Sequence, residues 1–151
     1  MPSETTIRRA TREDLAAVSE MFYRWEEEDC TRGLQGEGPG MLRDRLGPWF
    51  LVAVEQGGVV GFVIGEHKTD PACVFDSPGY LEVQDLYVAP ERRGRGSGTA
   101  LMNELMERAA EQGLGQWTVY TGNRDWRRTM QFYERFGFRM WCLSMFRRPG
   151  E

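Results

Sequence analysis

The stretch with the clearest chemical capacity in this 151-residue chain is Arg93-Gly94-Arg95-Gly96-Ser97-Gly98. Three glycines in five residues allow a tight turn and leave backbone N–H groups uncovered by side chains. A helix starting at the same point would aim the positive end of its dipole there, so the segment is suited to holding a phosphate. A P-loop would need four residues between its glycines and then Lys-Ser/Thr, and no lysine is near. A dinucleotide fingerprint needs Gly-x-Gly-x-x-Gly, whereas Gly94, Gly96 and Gly98 run as Gly-x-Gly-x-Gly before Thr99. Arg92, Arg93 and Arg95 flank the cradle with planar guanidiniums that match phosphate geometry.

The elements on either side must position this loop. Tyr80 to Val88 is rich in β-branched and aromatic residues and is closed by Pro90, which reads as a strand. After the loop, Leu101, Met102, Leu105, Met106 and Ala109 recur at helical spacing, polar residues fill the other face, and Gly113 follows the end. The glycines therefore join a strand to a helix.

Arg93-x-x-Gly96-x-Gly98, placed after Leu86-Tyr87-Val88, resembles the acyl-CoA signature of the GNAT superfamily of N-acetyltransferases. Phe132-Tyr133-Glu134-Arg135-Phe136-Gly137-Phe138 resembles the family's Tyr-x-x-x-Gly-Phe segment, in the right order and separation. The resemblance implies a mixed α/β (α+β) GNAT fold: a central, mostly antiparallel twisted sheet of six to seven strands flanked by about four helices, with strands 4 and 5 splayed. It implies acetyl-CoA as cofactor, its pantetheine arm along Leu86, Tyr87 and Val88 and its pyrophosphate on Arg93, Gly94, Arg95, Gly96, Ser97, Gly98 and Thr99.

Acetyl transfer to an amine asks for a base, a donor to the oxygen that gains charge and an acid for the departing thiolate. Tyr133 matches the family's tyrosine and, with a reference pKa near 10, is a neutral O–H donor suited to the thiolate. Some family members carry a glutamate where this chain has Gln84, which cannot accept a proton. Glu82, two residues earlier and on the same strand face, is the expected substitute base, while Asp85 points to the opposite face unless a bulge turns it. Glu26, Gln84 and Asp85 are the expected acceptor-binding residues. The asparagine that the family often places seven residues before its tyrosine is Trp126 here, and Asn123 falls three residues too early.

Along the whole chain the reading is a strand at Thr5 to Arg9, a helix at Arg12 to Tyr23 behind Thr11 and Asp14, and an interruption at Glu26-Glu27-Glu28-Asp29 and Gly33 to Gly40. A short helix at Met41 to Leu46 follows, then a hairpin, Trp49 to Glu55 and Val59 to Glu66, across Gly57-Gly58. A polar loop, His67 to Gly79, leads to the strand at Tyr80. The helix Gly96 to Gln112, strand Gln116 to Thr121, helix Trp126 to Phe136 and strand Phe138 to Phe146 complete one domain over residues 1–151.

Composition narrows the function classes. With 40% hydrophobic and 28% charged residues and no apolar run near the ~20 residues of a membrane span, a globular protein is expected. Met1 to Thr6 lacks a signal-peptide plan, so the expected location is the cytoplasm. Cys30, Cys73 and Cys142 are too few and too scattered for a disulfide or zinc framework, and His67 is the only histidine, so no metal site is expected. A net charge of −4 opposes nucleic-acid binding despite the arginine string, and favours a cationic amine. The expected function is acetyl-CoA-dependent N-acetyl transfer by direct attack within a ternary complex. The acceptor would be a small cationic or peptide amine, and the chain a monomer or homodimer. A catalytically silent acyl-CoA-binding sensor is the alternative.

Overall fold

Two runs of apolar residues, Phe50–Glu55 and Gly58–Lys68, form the antiparallel strands β2 and β3 at the centre of the sheet, as the computed structural model shows for residues 4–72 and 74–151. β1 (Thr6–Arg9) pairs with β2, and β4 (Tyr80–Val88) pairs antiparallel with β3. β5 (Trp117–Val119) joins β4 in parallel, giving a five-stranded sheet in the order β1-β2-β3-β4-β5. Helices α1 (Leu15–Glu27), α2 (Pro39–Arg43), α3 (Ser97–Glu111) and α4 (Trp126–Glu134) flank it. Cys73 and residues 1–3, which bear on the expected thiols and leader, lie outside the described residues.

Side-chain alternation divides the interior into two layers. Phe50, Val52, Phe62 and Ile64 face Leu15, Val18 and Phe22 of α1 and Leu42 of α2. Leu51, Ala53, Val63 and Val83 face Leu101, Met102 and Leu105 of α3 and Tyr133 of α4. The period of two along the strands and the i, i+3, i+4 spacing on the helices produce this arrangement.

Several boundaries differ from expectation for physical reasons. α1 runs four residues past Tyr23, because Glu26 and Glu28 find donors at its end: the Gly36 N–H at 3.0 Å for Glu26, and Arg93 at 2.7 Å for Glu28. The hairpin turns at Gln56-Gly57, one residue earlier than expected, with φ of 50° and 79°; two consecutive positive φ angles are the backbone of a tight primed turn. α2 starts at Pro39, whose fixed φ suits a first helical position, and stops at Arg43. The sheet has five strands rather than six or seven, since residues 138–146 form no described ladder. That segment instead runs past Met106, Ala110 and Trp117 at its start and ends with Phe146 under Arg32.

The entry to α1 is held by charge. Arg8 places both terminal nitrogens on the Asp14 carboxylate at 2.7 and 2.9 Å, and the Thr11 N–H donates to Asp14 at 2.8 Å. Asp14 is only 5% exposed, and its hydrogen bond from Arg8 holds its pKa below the ordinary value. Asp14→Asn is therefore expected to cost about 2 kcal/mol in urea unfolding at neutral pH, the range for a hydrogen bond to a charged group. Because the folded pKa is depressed, this contribution is complete above the unfolded pKa of about 3.9 and fades as pH falls through the lower folded value.

Candidate active site

The β4–β5 ladder covers only Leu81–Val83 against Trp117–Val119, while β4 continues through Val88. Residues 84–88, including Leu86, Tyr87 and Val88, thus run on with no β5 residue beside them. The two strands splay, and the chain closes the outside of the gap: Thr31 bridges Asn123, Arg32 N–H donates to Gly122 O at 2.8 Å, and Arg124 N–H donates to Cys30 O at 2.8 Å.

At the end of β4 lies the glycine loop. A turn at Pro90–Arg92 leads through Gly94, φ 78°, and Gly96, φ 86°, into α3, and a Cβ built on either glycine meets no heavy atom within 4 Å. The first intrahelical bond is Ala100 N–H to Gly96 O, at 2.9 Å, so the N–H groups of Ser97, Gly98 and Thr99 have no intrahelical acceptor. Ser97 is 2% exposed and its hydroxyl oxygen has no partner. Open space over the loop, unused donors, a helix N-terminus and an orphaned buried hydroxyl fit a diphosphate.

Of the flanking arginines, Arg92 and Arg93 are engaged with carboxylates and Arg95 is exposed. Arg92 pairs with Glu55 at 3.1 Å, and Arg93 holds both oxygens of Glu28 at 2.7 and 3.0 Å while its Nε donates to Val88 O. The Tyr87 hydroxyl also donates to Glu28 at 2.7 Å, and the Tyr87 ring lies between Trp25 and the Arg93 guanidinium. Burial alone would raise the Glu28 pKa, but its hydrogen bonds from Arg93 and Tyr87 bring it below the ordinary value. The backbone N–H groups of the loop and the exposed Arg95 therefore remain as its donor set, with Arg93 fastening α1 to β4.

A second cluster forms where the β3–β4 register shifts. Ile64 faces Asp85 and Gly65 faces Val83, so Gln84 is the extra residue of a bulge that turns Asp85 to the same side as Gln84. The Arg45 guanidinium binds Asp85 at 2.5 Å, the Gln84 side-chain oxygen at 3.0 Å and Glu37 at 2.9 Å. The Gln84 amide donates to Glu66. Burial raises the Asp85 pKa more than Arg45 lowers it, leaving the carboxyl above the ordinary aspartate value.

Tyr133 projects from α4 into the α3-side layer and is 9% exposed, with edge-on contacts to Phe132 and Phe138. Burial, and secondly the negative charge of Asp85, push its phenol well above the ordinary pKa, so it stays neutral and keeps its O–H. The charge of Asp85 therefore reaches Tyr133, while Asp85 itself is held by Arg45 opposite Ile64 of the α1-side layer.

Of the other sequence candidates, Glu82 is half-buried, facing Glu66 on one neighbouring strand and Thr118 on the other. Glu26 holds the Gly36 N–H, and no described contact joins it to Gln84 or Asp85. Asn123 caps the turn before α4 by accepting the Asp125 N–H at 2.8 Å, and Trp126 is half-exposed under Arg127. Arg45 and Glu37 do not stand out from sequence, and Glu28 does so only as a member of the acidic run Glu26 to Asp29. They reach the site from 39, 48 and 65 positions away, and nothing else in their local pattern marks them.

The family profile described as acetyltransferase (GNAT) domain matches residues 47–140. An uncharacterized N-acetyltransferase of Methanocaldococcus jannaschii is 26% identical over 143 residues, 88% of this chain. The chain spans 60% of that relative's length. The L-2,4-diaminobutyric acid acetyltransferase of Nocardia farcinica is 41% identical over 64 residues, covering 42% of this chain and 30% of that protein. Among solved structures, the aminoglycoside N-acetyltransferase AAC(6')-Iy in complex with CoA superposes with a TM-score of 0.77 over 99% of this chain and 97% of that one. Its 16% identity shows a shared fold.

Proposed function

We propose that this chain, which belongs to the GNAT acetyltransferase family, is a single-domain cytoplasmic enzyme that moves an acetyl group from acetyl-CoA to a primary amine by direct attack in a ternary complex. The observation that carries the reading is the splay itself: an open glycine cradle at one end, and Asp85, held by Arg45, on the stretch of β4 that β5 leaves uncovered. Acetyl-CoA supplies the acetyl group as a reactive thioester. The N–H groups of Gly94 to Thr99 would hold its diphosphate, and the edge at Leu86, Tyr87 and Val88 that β5 leaves uncovered would receive the pantetheine arm.

The remaining work falls to the chain's own side chains. An alkylammonium has a pKa of about 10.4 and must lose a proton before it can attack. Asp85, lifted above the ordinary carboxylate range by burial, is the base we favour over Glu82, because it lies on the stretch of β4 that β5 leaves uncovered while Glu82 sits between Glu66 and Thr118. Arg45 positions it. The Tyr133 hydroxyl, held neutral, gives its proton to the departing sulfur. Tyr133→Phe is then expected to lower kcat by roughly 100-fold, the low end of the general-acid range, with little change in acetyl-CoA affinity.

The acceptor is proposed to be a small cationic amine. Glu37, Asp85, Glu66 and Glu82 crowd this part of the sheet against Arg45 and Lys68, leaving an excess of negative charge. The similar proteins named for aminoglycosides and for diaminobutyric acid support the same class. Release of free coenzyme A thiol from acetyl-CoA across aminoglycosides, diamino acids, polyamines and short peptides tests this, with Tyr133→Phe as control. Turnover confined to cationic acceptors and lost in the control is the expected result. Acetyl-CoA binding without turnover on any of them would replace the enzyme with a silent acyl-CoA-binding module.

A further inference from the structure

We infer that Glu55, the last residue of β2, is a positioning residue for acetyl-CoA: through Arg92 it fixes the turn from which the glycine cradle springs. The inference rests on the proposed acetyl-CoA site. Leu51, Ala53 and Glu55 alternate onto the face that α3 covers, so a carboxylate closes an otherwise apolar row. Glu55 is buried, and it accepts the Thr5 hydroxyl at 2.8 Å and the Arg92 guanidinium at 3.1 Å. Taking a carboxylate out of water is costly, and a buried ion pair is often no more stabilising than apolar side chains of the same volume. What this pair supplies is direction, because the carboxylate holds Arg92 in one place.

The ground on which Arg92 is held is built into the β2–β3 hairpin. The register shifts between Ala53 and Val54, leaving Val60 as an extra residue of β3. The Val60 carbonyl accepts the Ala89 N–H at 2.9 Å, immediately before the turn at Pro90–Arg92. Beside it Gly61 lets β4 come close, since a Cβ there would stand 2.7 Å from the Tyr87 carbonyl oxygen. The end of the hairpin thus grips the chain through backbone at Ala89 and through a side chain at Arg92, and the glycines begin two residues later.

Three successive residues lead into the cradle, each bound to a different place: Glu91 to Arg24, Arg92 to Glu55 and Arg93 to Glu28. Burial decides which pair constrains the loop most. The carboxylate side chains are 58%, 2% and 24% exposed in that order, and a solvated ion pair fixes little. Of the three, Glu55 is the acid withdrawn from water. A cradle fixed before its ligand arrives binds without first having to order its N–H groups.

Calorimetry with acetyl-CoA on the parent, Glu55→Gln and Asp14→Asn tests this. Glu55→Gln should bind about 10-fold more weakly, equivalent to losing one charge-assisted hydrogen bond from the cradle. Asp14→Asn also breaks a buried carboxylate–arginine pair, at the entry to α1, and should lose stability while keeping the parent's affinity. Unchanged or tighter binding by folded Glu55→Gln overturns the inference, tighter binding meaning that Arg92, once released, grips the phosphate itself. Equal weakening in Asp14→Asn also overturns it, since general destabilisation would then suffice. If Glu55→Gln fails to fold, Arg92→Gln decides: about 10-fold weaker binding with the parent's salt dependence is expected, and unchanged affinity or a reduced salt dependence overturns the inference. A parent that binds no acetyl-CoA removes the proposed function and this inference with it, whereas equal binding by parent and Glu55→Gln removes this inference alone.

Discussion

Asp85→Asn is expected to bind acetyl-CoA as the parent does and to lose turnover by roughly 10²- to 10⁴-fold, the contribution of a positioned general base. The sign with pH follows from the burial of this carboxyl. Since its folded pKa is raised above the ordinary ~3.9, kcat/KM of the parent should fall as pH drops through a value higher than that of a free aspartate. The variant, having no proton acceptor there, should lack this acidic limb. Glu82→Gln is the internal comparison. If the limb vanishes in Glu82→Gln and persists in Asp85→Asn, the base lies two residues before the bulge and Asp85 is an acceptor contact.

Gly96→Val should fold but lose acetyl-CoA affinity by about 100-fold or more, as read by calorimetry. Gly96 sits at φ 86°, where a β-branched residue is strained by roughly 1–3 kcal/mol. An added side chain would also project into the open space over the loop, where the anion must approach the N–H groups. Losing two such charge-assisted hydrogen bonds, at about 1.5–3 kcal/mol each, amounts to at least two orders of magnitude in Kd. Gly98→Ala is expected to be milder, because φ there is not positive and an added Cβ meets Phe132 and Val88 at ordinary distances of 3.7–3.8 Å. Unchanged binding by a folded Gly96→Val protein would remove the cradle from the proposal.

What could be read from sequence follows the range of the forces involved. β4 was legible to the residue, Tyr80 to Val88, and α3 to within one residue at each end, because alternation, helical spacing and glycine placement are local signals. The hairpin turn slipped by one position, since the requirement is for positive φ at two positions and Gln56 met it where a second glycine was expected. The glycine cradle was legible for the same local reason as α3. The acid cluster was not: Arg45 reaches Asp85 across 40 positions, and only the bulge at Gln84 brings that carboxylate to the right side. The expected last strand, Phe138 to Phe146, forms no ladder among the described residues: its composition carries the local signal of a strand, but a strand exists only with a paired neighbour, which no local signal supplies.

The bulge at Gln84 has an implication for how this site can vary. Upstream of it Val83 serves the α3 layer, and downstream Tyr87 serves the α1 layer while Leu86 and Val88 pack with α3, so β4 carries two opposite parities joined at one residue. Exchanging the side chain at 84 or 85 alters the chemistry and leaves both parities in place. Removing the extra residue would leave Gly65 opposite Val83 and Ile64 opposite Asp85 in an ordinary ladder, so Asp85 and Tyr87 would keep their faces while the contacts of Gln84 with Arg45 and Glu66 would be lost. Inserting a second residue there would instead send Asp85 and Tyr87 to the α3 side, so the strand tolerates loss of its bulge but not an added one.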